Sequence, residues 1–281
     1  MNGYQELFLN SEFANNTFVS FLSLMFLFLG RFLPIIVFSP FFGSRTLAIP
    51  AKMGFALSLF AVFLPKLFEV THTPLEFNLR LIGFFAKELL IGTILGYLIS
   101  MPFIIVQTSG MVIDHQRGGA SLMVNDPTVQ NQSSPLGTLF NQVLIVTFYS
   151  VIGPFYFIEA IISSYDLVPP DKFLSTKFFM DGSPFWSEQL RLFNEIMRLG
   201  IQLATPALLI ILMTDFFLGI ANRLAPQVQM TFLGMPLKSL LALLLVTLSW
   251  KAYNVETTNV IYQWLELINR SIQWMRFGMD T

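Results

Sequence analysis

The stretch FVSFLSLMFLFLGRFLPIIVFSPFF, residues 18–42, decides the fold class of this chain. It exceeds the roughly 20 apolar residues that a helix needs to cross a bilayer. Its one charged residue, Arg31, costs about 3 kcal/mol at the centre of a membrane helix, whereas each Leu or Phe returns about 0.5 kcal/mol. The surrounding Leu and Phe outweigh that cost. The stretch therefore predicts a membrane helix whose buried arginine needs a partner.

The rest of the chain has the same character. Of its 281 residues, 54% are hydrophobic and only 12% are charged, with a mean hydropathy of +0.65. A soluble domain could not cover so much apolar surface. Five further apolar runs follow, of which the first is short enough to be half-buried or re-entrant: residues 53–68, 81–106, 136–162, 200–220 and 232–250. We expect an all-α, polytopic membrane protein with about six long apolar helices.

Composition also excludes several classes of function. The chain has no cysteine, so disulfides, thiolate metal sites and a cysteine nucleophile are excluded. Its two histidines, His72 and His115, are too few for an ordinary zinc or haem site. A net charge of −1 provides no basic surface for nucleic acid. Phosphate-loop, dinucleotide-binding and nucleophile-elbow motifs are missing as well. We expect no cofactor and no enzymatic activity.

The expected domain organisation is a single membrane domain, residues 1–281. A polar N-terminus at 1–16 lacks Lys and Arg, and the apolar run that follows is too long for the hydrophobic part of a cleaved signal, so we expect that run to be a retained membrane segment. A first helical part at 18–106 and a second at 136–250 flank a glycine-rich loop at 107–135. An amphipathic helix is predicted at 185–199 within the second part, and an amphipathic C-terminal helix at 251–281 follows it, with its apolar stripe over 255–275. The tail helix is expected to lie on the membrane or to contact a partner.

Prolines interrupt most of the apolar runs. Each removes a backbone N–H donor and clashes with the preceding helical turn, and in lipid the freed carbonyl groups need protein or water partners. We therefore expect several helices to be kinked or broken and their backbones to pack against other protein chains. The prolines concerned are Pro34, Pro40, Pro102, Pro154 and Pro206. The loop charges show no clear bias that would fix the topology.

Charged residues inside the apolar runs allow two interpretations. One is a proton or ion relay; the other is charge pairing between helices or subunits, which we favour because no series of Asp, Glu and His recurs along one face. Because Lys87 and Glu88 are adjacent, a helix should point them in different directions. The remaining candidates are Arg31, Glu159 and Asp215.

Two glycine patterns lie close together in the chain. Gly92 and Gly96 form a GxxxG pair, whose spacing allows two helix backbones to approach closely. Further on, GMVIDHQRGGASLMVNDP at 110–127 is a polar, glycine-rich stretch between two apolar runs. We expect this stretch to line or block a passage. A pH switch at His115 is possible chemically, but a lone loop histidine is more often a plain polar residue.

Several spaced motifs together resemble the SctT/FliR family of type III secretion export-apparatus proteins, more the injectisome branch than the flagellar one. They are PAKMGFAL at 50–57, ELLIG at 88–92, GMVIDHQRG at 110–118, NDP at 125–127, SPLG at 134–137, NRLAPQ at 222–227 and GMPLK at 234–238. The resemblance covers the chain from Arg31 to Lys238.

The resemblance implies a closed helical assembly of bent helical hairpins, held largely above the inner-membrane plane, in which SctR- and SctS-type subunits (FliP and FliQ in flagella) are partners. An SctU/FlhB-type switch protein and exported polypeptides in transit are further expected partners. A plug that obstructs the closed pore maps onto Gln116, Arg117, Gly118, Gly119, Leu122, Met123 and Val124. An apolar, methionine-containing tip suits such a seal, and glycines allow it to bend. Assembly or buried-charge roles are expected for Arg31, Glu88, Asp215, Arg223 and Lys238.

Two functions from different classes remain open at this point. The first is a non-enzymatic subunit of the type III export gate in the bacterial inner membrane, with an expected role in virulence through protein secretion. The second is a stand-alone secondary transporter or channel with a site at the midplane, where broken helices meet. The second requires polar residues that converge between two halves, but the polar residues here are scattered and no inverted repeat is visible.

Overall fold

The computed structural model describes residues 17–42, 48–73, 75–118, 134–151, 153–174, 184–224 and 230–277. Every regular element in these ranges is a helix, which confirms the all-α prediction. In chain order they are α1 (Thr17–Phe38), a 3-10 turn (Pro40–Phe42), α2 (Ile49–Val70), α3 (Leu79–Gln116), α4 (Pro135–Ser150), α5 (Gly153–Leu167), α6 (Pro184–Leu224), α7 (Met230–Leu248) and α8 (Trp250–Phe277).

The membrane prediction is confirmed by helix length and composition. Within the described ranges, four helices are long and apolar enough to cross a membrane, and the number rises to six if each of two bent helix pairs counts as one span. The second run is longer than expected: α2 begins with a proline in its first turn, where the missing N–H costs nothing, and runs for 22 residues. Its length and composition make it a candidate span, and the half-buried or re-entrant alternative for this run stays a prediction.

Three of the five prolines do not interrupt their helices. The helical assignment continues through Pro34, Pro102 and Pro206. Helix boundaries coincide with the other two: α1 ends before Pro40, and Pro154 lies in the first turn of α5. The predicted fourth run is thus two helices, and Pro154 lies in the first turn of the second, where the missing N–H costs nothing.

Three predictions need correction, two on helix boundaries and one on the position of a helix face. Residues 107–116 belong to α3, so the helix continues into the stretch that was expected to be loop. The amphipathic segment 185–199 and the fifth apolar run are one 41-residue helix, α6. Gly200 does not end it, and a Cβ at this position would lie 2.8 Å from Ile105 Cγ2, so the glycine permits close packing. The apolar stripe of α8 is buried within the chain at Ile261, Trp264, Leu265 and Ile268 instead of facing a membrane or partner.

The chain divides into two compact units, which are described separately. Unit 1 comprises Met1–Met101, Ile152–Arg191 and Trp264–Thr281, and unit 2 comprises Pro102–Val151 and Leu192–Gln263. In unit 1, α1 packs on α2, and aromatic side chains fill the space between them and α5. Phe28 lies at the centre of this packing, and its ring contacts those of Phe32, Phe60, Phe63 and Tyr165.

Candidate functional site: two buried polar networks

A buried ion pair joins α1 to α3 in unit 1. The guanidinium of Arg31 donates from Nε to Glu88 Oε2 at 2.5 Å and from NH2 to Glu88 Oε1 at 2.9 Å. Both side chains are 0% exposed. A bidentate arginine–carboxylate pair satisfies two donors and two acceptors in one fixed geometry. The partner that the sequence required for Arg31 is therefore supplied by another helix of the same chain.

The remaining donors of Arg31 reach the C-terminal end of α5. NH1 donates to Ser164 Oγ at 3.1 Å, and NH2 also donates to the carbonyl oxygen of Val168 at 2.7 Å. The Tyr165 ring lies against the guanidinium, 3.9 Å from Cζ to the ring centroid, which is a cation–π geometry. One arginine thus binds three separate parts of unit 1.

Lys87 extends this arrangement and was not expected to do so. Its Nζ lies 2.8 Å from Glu88 Oε1, although adjacent helical residues point in different directions. The long lysine side chain reaches the carboxylate nonetheless, so the expectation that the two do not face each other was wrong. Nζ also donates to three carbonyl oxygens beyond α5, those of Pro169, Pro170 and Lys172. We call Arg31, Lys87, Glu88 and Ser164 the Arg31 cluster.

The segment at 168–172 explains why two cations are needed there. Two consecutive prolines have no N–H to donate, so this stretch offers mainly carbonyl acceptors to the interior. Arg31 and Lys87 supply the donors. In the same segment, Asp171 Oδ2 accepts hydrogen bonds from the backbone N–H groups of His72 and Thr73, each at 3.1 Å. The connection after α5 is thereby fastened to α1, α3 and the end of α2.

Gly92 and Gly96 lie where α3 crosses α1. A Cβ at Gly92 would overlap the carbonyl oxygen of Arg31, and one at Gly96 would lie 3.1 Å from Ile35 Cα. The two glycines therefore allow the backbone approach that brings Glu88, one turn earlier on α3, to Arg31. The small-residue spacing and the buried ion pair are parts of one packing arrangement.

A second network surrounds Asp114 in unit 2. Its carboxylate is 0% exposed and accepts from Arg117 Nε at 2.7 Å, from the backbone N–H of Leu136 at 2.9 Å and from Ser134 Oγ. Ser134 is also the N-cap of α4, because its Oγ accepts from the Gly137 N–H at 2.9 Å. A carboxylate from α3 thus lies at the N-terminus of α4, where the helix dipole and the free N–H groups favour an anion.

The Asp114 network also reaches α7. Arg117 NH1 donates to Ser239 Oγ at 2.8 Å. Gly118, at a φ of +91°, follows the end of α3 as a left-handed residue that ends the helix. A Cβ at Gly118 would lie 3.6 Å from Met235 Cγ. We use "Asp114 network" for Asp114, Arg117, Ser134 and Ser239.

Glycines bring α3 and α4 together beside this network. A Cβ at Gly110 would lie 2.5 Å from the Gly137 nitrogen, and a Cβ at Gly137 would lie 2.7 Å from the carbonyl oxygen of Gln107. Any larger side chain would push the two helices apart. Asp114 lies one turn after Gly110, so the close crossing places its carboxylate against the first turn of α4.

The other predicted assembly residues lie on α6 and α7. Lys238 pairs with Asp215 across these helices in unit 2, and both side chains are partly exposed, at 21% and 43%. A cavity of about 260 Å³ adjoins the pair and is lined also by Leu218, Gly219, Asn222, Gly234 and Met235. Arg223 is exposed in the last turn of α6 and has no ion-pair partner among the described residues.

Of the predicted plug residues, three are described. Gln116 is exposed at the end of α3, Arg117 is buried in the Asp114 network, and Gly118 follows the helix. Gly119, Leu122, Met123 and Val124 lie outside the described residues. Sequence reasoning missed Asp114 and Ser239 as partners of Arg117, and Ser134 as a partner of Asp114. The signal available for Asp114 and Ser134 was the pair of motifs DHQR and SPLG, which lie on either side of the loop.

Within the described ranges, no group of three or more His, Asp or Glu is placed to hold a metal ion. In both networks the charged groups are bound to fixed partners, which is the geometry of helix fastening and not of a proton relay.

Helices of spanning length, joined by buried charge pairs and close glycine crossings, define the class as a multi-pass membrane protein. The family model "Bacterial export proteins, family 1" matches residues 22–264, and the chain belongs to this family.

Named relatives come from secretion systems and from flagella. The chain is 28% identical to the Yop proteins translocation protein T of Yersinia pestis over 79% of this chain and 84% of that protein. It is 28% identical to the secretion system apparatus protein SsaT of Salmonella typhimurium, over 71% and 75% of the two chains. Identity to the flagellar biosynthetic protein FliR of Bacillus subtilis is 24%, over 79% and 83%. These matches confirm the SctT/FliR resemblance, with the higher identities on the secretion-system side.

Proposed function

We propose that this chain is a non-enzymatic subunit of a type III protein export gate in the bacterial inner membrane, and that it helps to form and to close the export pore. The observation that carries the proposal is the family match across residues 22–264, which includes the segments that form both polar networks. The relatives named for protein translocation, for a secretion system apparatus and for flagellar biosynthesis, together with the family description of bacterial export proteins, support the proposal.

A subunit role is supported by the surface of α6. Leu209, Leu212, Phe216 and Phe217 are more than half exposed on this helix. Such side chains need lipid or protein around them. We propose SctR- and SctS-type membrane subunits as the principal neighbours and an SctU-type switch protein as a further one. The stand-alone transporter alternative lacks support, because the buried charges are fastened to fixed partners and do not line an open site.

Co-purification tests the subunit proposal. The affinity-tagged chain is extracted from native membranes in mild detergent, and its partners are identified by mass. We expect one large complex that contains two small multi-pass subunits. Recovery of the chain alone, or as a homodimer that transports a solute after reconstitution, would contradict the gate proposal and favour the transporter.

We further propose that the loop after α3 obstructs the closed pore. The proposal depends on its composition, since Leu122, Met123 and Val124 provide a flexible apolar tip between glycines and a polar stretch. Deletion of residues 119–124 tests it without removing Arg117. The remaining residues 125–133 can extend to about 30 Å, so they can still join α3 to α4.

The readout is leakage of the assembled complex. Cells that produce the complex with the deletion should admit a small fluorescent dye that the parent complex excludes, with unchanged amounts of complex in the membrane. A deletion complex as tight as the parent would disprove the plug. A substitution of exposed Thr247 to Ala, which removes only a hydrogen bond to the carbonyl of Leu243 on its own helix, serves as the matched control.

A further inference from the structure

Three donors from both sides of the loop converge on one buried carboxylate. Arg117 lies just before residues 119–133, whereas Ser134 and Leu136 lie just after them. Because Asp114 is 0% exposed, its negative charge has no access to water and depends on these partners. The same carboxylate therefore determines where the chain leaves α3 and where it begins α4.

The cation of this network connects it to a third helix. Arg117 is 8% exposed and divides its donors between Asp114, at 2.7 Å, and Ser239, at 2.8 Å. Ser239 and Met235 lie four residues apart on α7, hence on one face, and a Cβ added at Gly118 would contact the side chain of Met235. Two successive turns of α7 thus lie against the end of α3.

Lys238 fixes the same turn of α7 from another side. Lys238 directly precedes Ser239 in the chain, and it pairs with Asp215 of α6. Because Arg117 follows α3 and Ser239 lies on α7, a shift of α7 along α3 would break the hydrogen bond between them. Any shift would also change the environment of a buried charge, which costs more than the loss of an exposed contact.

We infer that Asp114 is a positioning residue that fixes both ends of the loop, and that Arg117 links this position to α7 through Ser239. This inference rests on the proposed function only where leakage is the readout, because the loop is the proposed plug. A displacement of α7 would change the position of the loop ends through Ser239, Arg117 and Asp114. The position of the two loop ends, at Gly118 and Ser134, is thus coupled to the position of α7.

A thiol reporter tests the inference without any assumption about a plug. The chain has no cysteine, so Ser133→Cys places the single thiol of this subunit beside the α4 end of the loop. Its rate of reaction with a maleimide is measured in the purified complex. In this background, Asp114→Asn keeps the size of the side chain and removes its charge, Ser239→Ala removes the α7 contact, and Thr247→Ala on the same helix is the control.

We expect Asp114→Asn to raise the labelling rate about tenfold and Ser239→Ala about threefold, because the first removes the charge from three hydrogen bonds and the second removes one hydrogen bond. Thr247→Ala should react like the parent. Arg117→Lys keeps the charge but lacks the forked geometry that binds both partners, so it should fall between Asp114→Asn and the parent. Parental rates in both Asp114→Asn and Ser239→Ala would overturn the inference. If Asp114→Asn does not assemble, Ser239→Ala against Thr247→Ala decides.

Dye leakage then separates this inference from the plug proposal. If the deletion of 119–124 leaks but Asp114→Asn and Ser239→Ala remain tight and label at the parental rate, the plug stands and the positioning role of Asp114 is wrong. If the deletion is tight but the thiol rates respond, the plug is wrong and the positioning role stands. Leakage graded as deletion, Asp114→Asn, Ser239→Ala supports both.

Discussion

The Arg31 cluster and the Asp114 network both bury charge, but they bind backbone segments with different unpaired groups. The Arg31 cluster uses two cations to bind a segment that contains two prolines and therefore offers carbonyl acceptors. The Asp114 network uses one anion to bind N–H and O–H donors at the beginning of a helix. In each case the sign of the buried charge matches the backbone groups that local structure leaves unpaired.

The two regions also differ in what depends on them. In unit 1 the cluster joins helices and a short connection that are fixed on every side, so its loss should affect folding first. In unit 2 the network holds the two ends of a loop and the face of a third helix. Its loss should change loop position before it changes folding. The predictions below test this division, since a folding effect of equal size in both regions would remove it.

The largest effect is expected for Glu88→Ala. It leaves Arg31 and Lys87 buried without their shared carboxylate, and removal of one partner of a buried pair typically costs about 3–5 kcal/mol. The free energy of unfolding of the purified chain in detergent, or its accumulation in membranes where unfolding is irreversible, measures the loss. Glu266→Ala removes a carboxylate from an exposed pair with Arg270 and should change stability by less than about 1 kcal/mol. Equal effects of the two substitutions would contradict a structural role for the cluster.

Lys87→Met should follow, with a cost of about 3 kcal/mol. Met keeps the length of the side chain but leaves two buried carbonyl groups and a part-buried one without their donor, and each unsatisfied buried group costs about 1 kcal/mol or more. Proteolysis should also begin at the connection after α5, since its fastening to α3 is lost. A variant that is cleaved no faster than the parent would show that Arg31 and Asp171 hold this segment without help.

Gly92→Ala should cost about 1–3 kcal/mol through overpacking, because the added Cβ overlaps the backbone of Arg31. Gly54→Ala on α2 is the matched control. A Cβ there meets nothing within 4 Å, so alanine should be neutral or stabilise the helix by up to about 1 kcal/mol. The difference between the two unfolding free energies measures the close crossing of α1 and α3. If Gly92→Ala were as stable as Gly54→Ala, the crossing would not depend on this glycine.

Much of the fold could be predicted from the sequence because membrane helices follow from composition and length. Six apolar runs, the buried position of Arg31 and the need for a partner all derive from the cost of unpaired charge in hydrocarbon. Helix boundaries were harder. All five prolines look alike in the sequence. The helix continues at Pro34, Pro102 and Pro206 but not at Pro40 and Pro154, so the surrounding structure decides.

The site was predictable only in part, because pairing partners lie far apart in the chain. Arg31 and Glu88 are 57 residues apart, and Arg117 and Ser239 are 122 apart. No periodic pattern specifies such contacts. The adjacency rule also failed for Lys87, since it describes where side chains leave a helix and not how far a flexible one can reach. The assembly roles of Arg223, Lys238 and Asp215 stay predictions.

The smallest effect on folding is expected for the Asp215–Lys238 pair, which tests whether exposed charge has a different task from buried charge. Both side chains are partly exposed, so Lys238→Met should cost only about 0–1 kcal/mol of stability. Its position beside Ser239 and a cavity on α6 and α7 predicts a different consequence: weaker recovery of the partner subunits in co-purification, by several-fold.

Arg223→Ala should act in the same direction, because this exposed arginine has no carboxylate partner among the described residues of its own chain. Arg270→Ala, which removes an exposed cation paired within α8, is the control for charge loss alone. If Lys238→Met and Arg223→Ala both leave the complex intact and the control does too, the exposed charges of unit 2 serve neither folding nor assembly. If they weaken the complex while Glu88→Ala weakens the fold, buried charge and exposed charge have separate tasks in this protein.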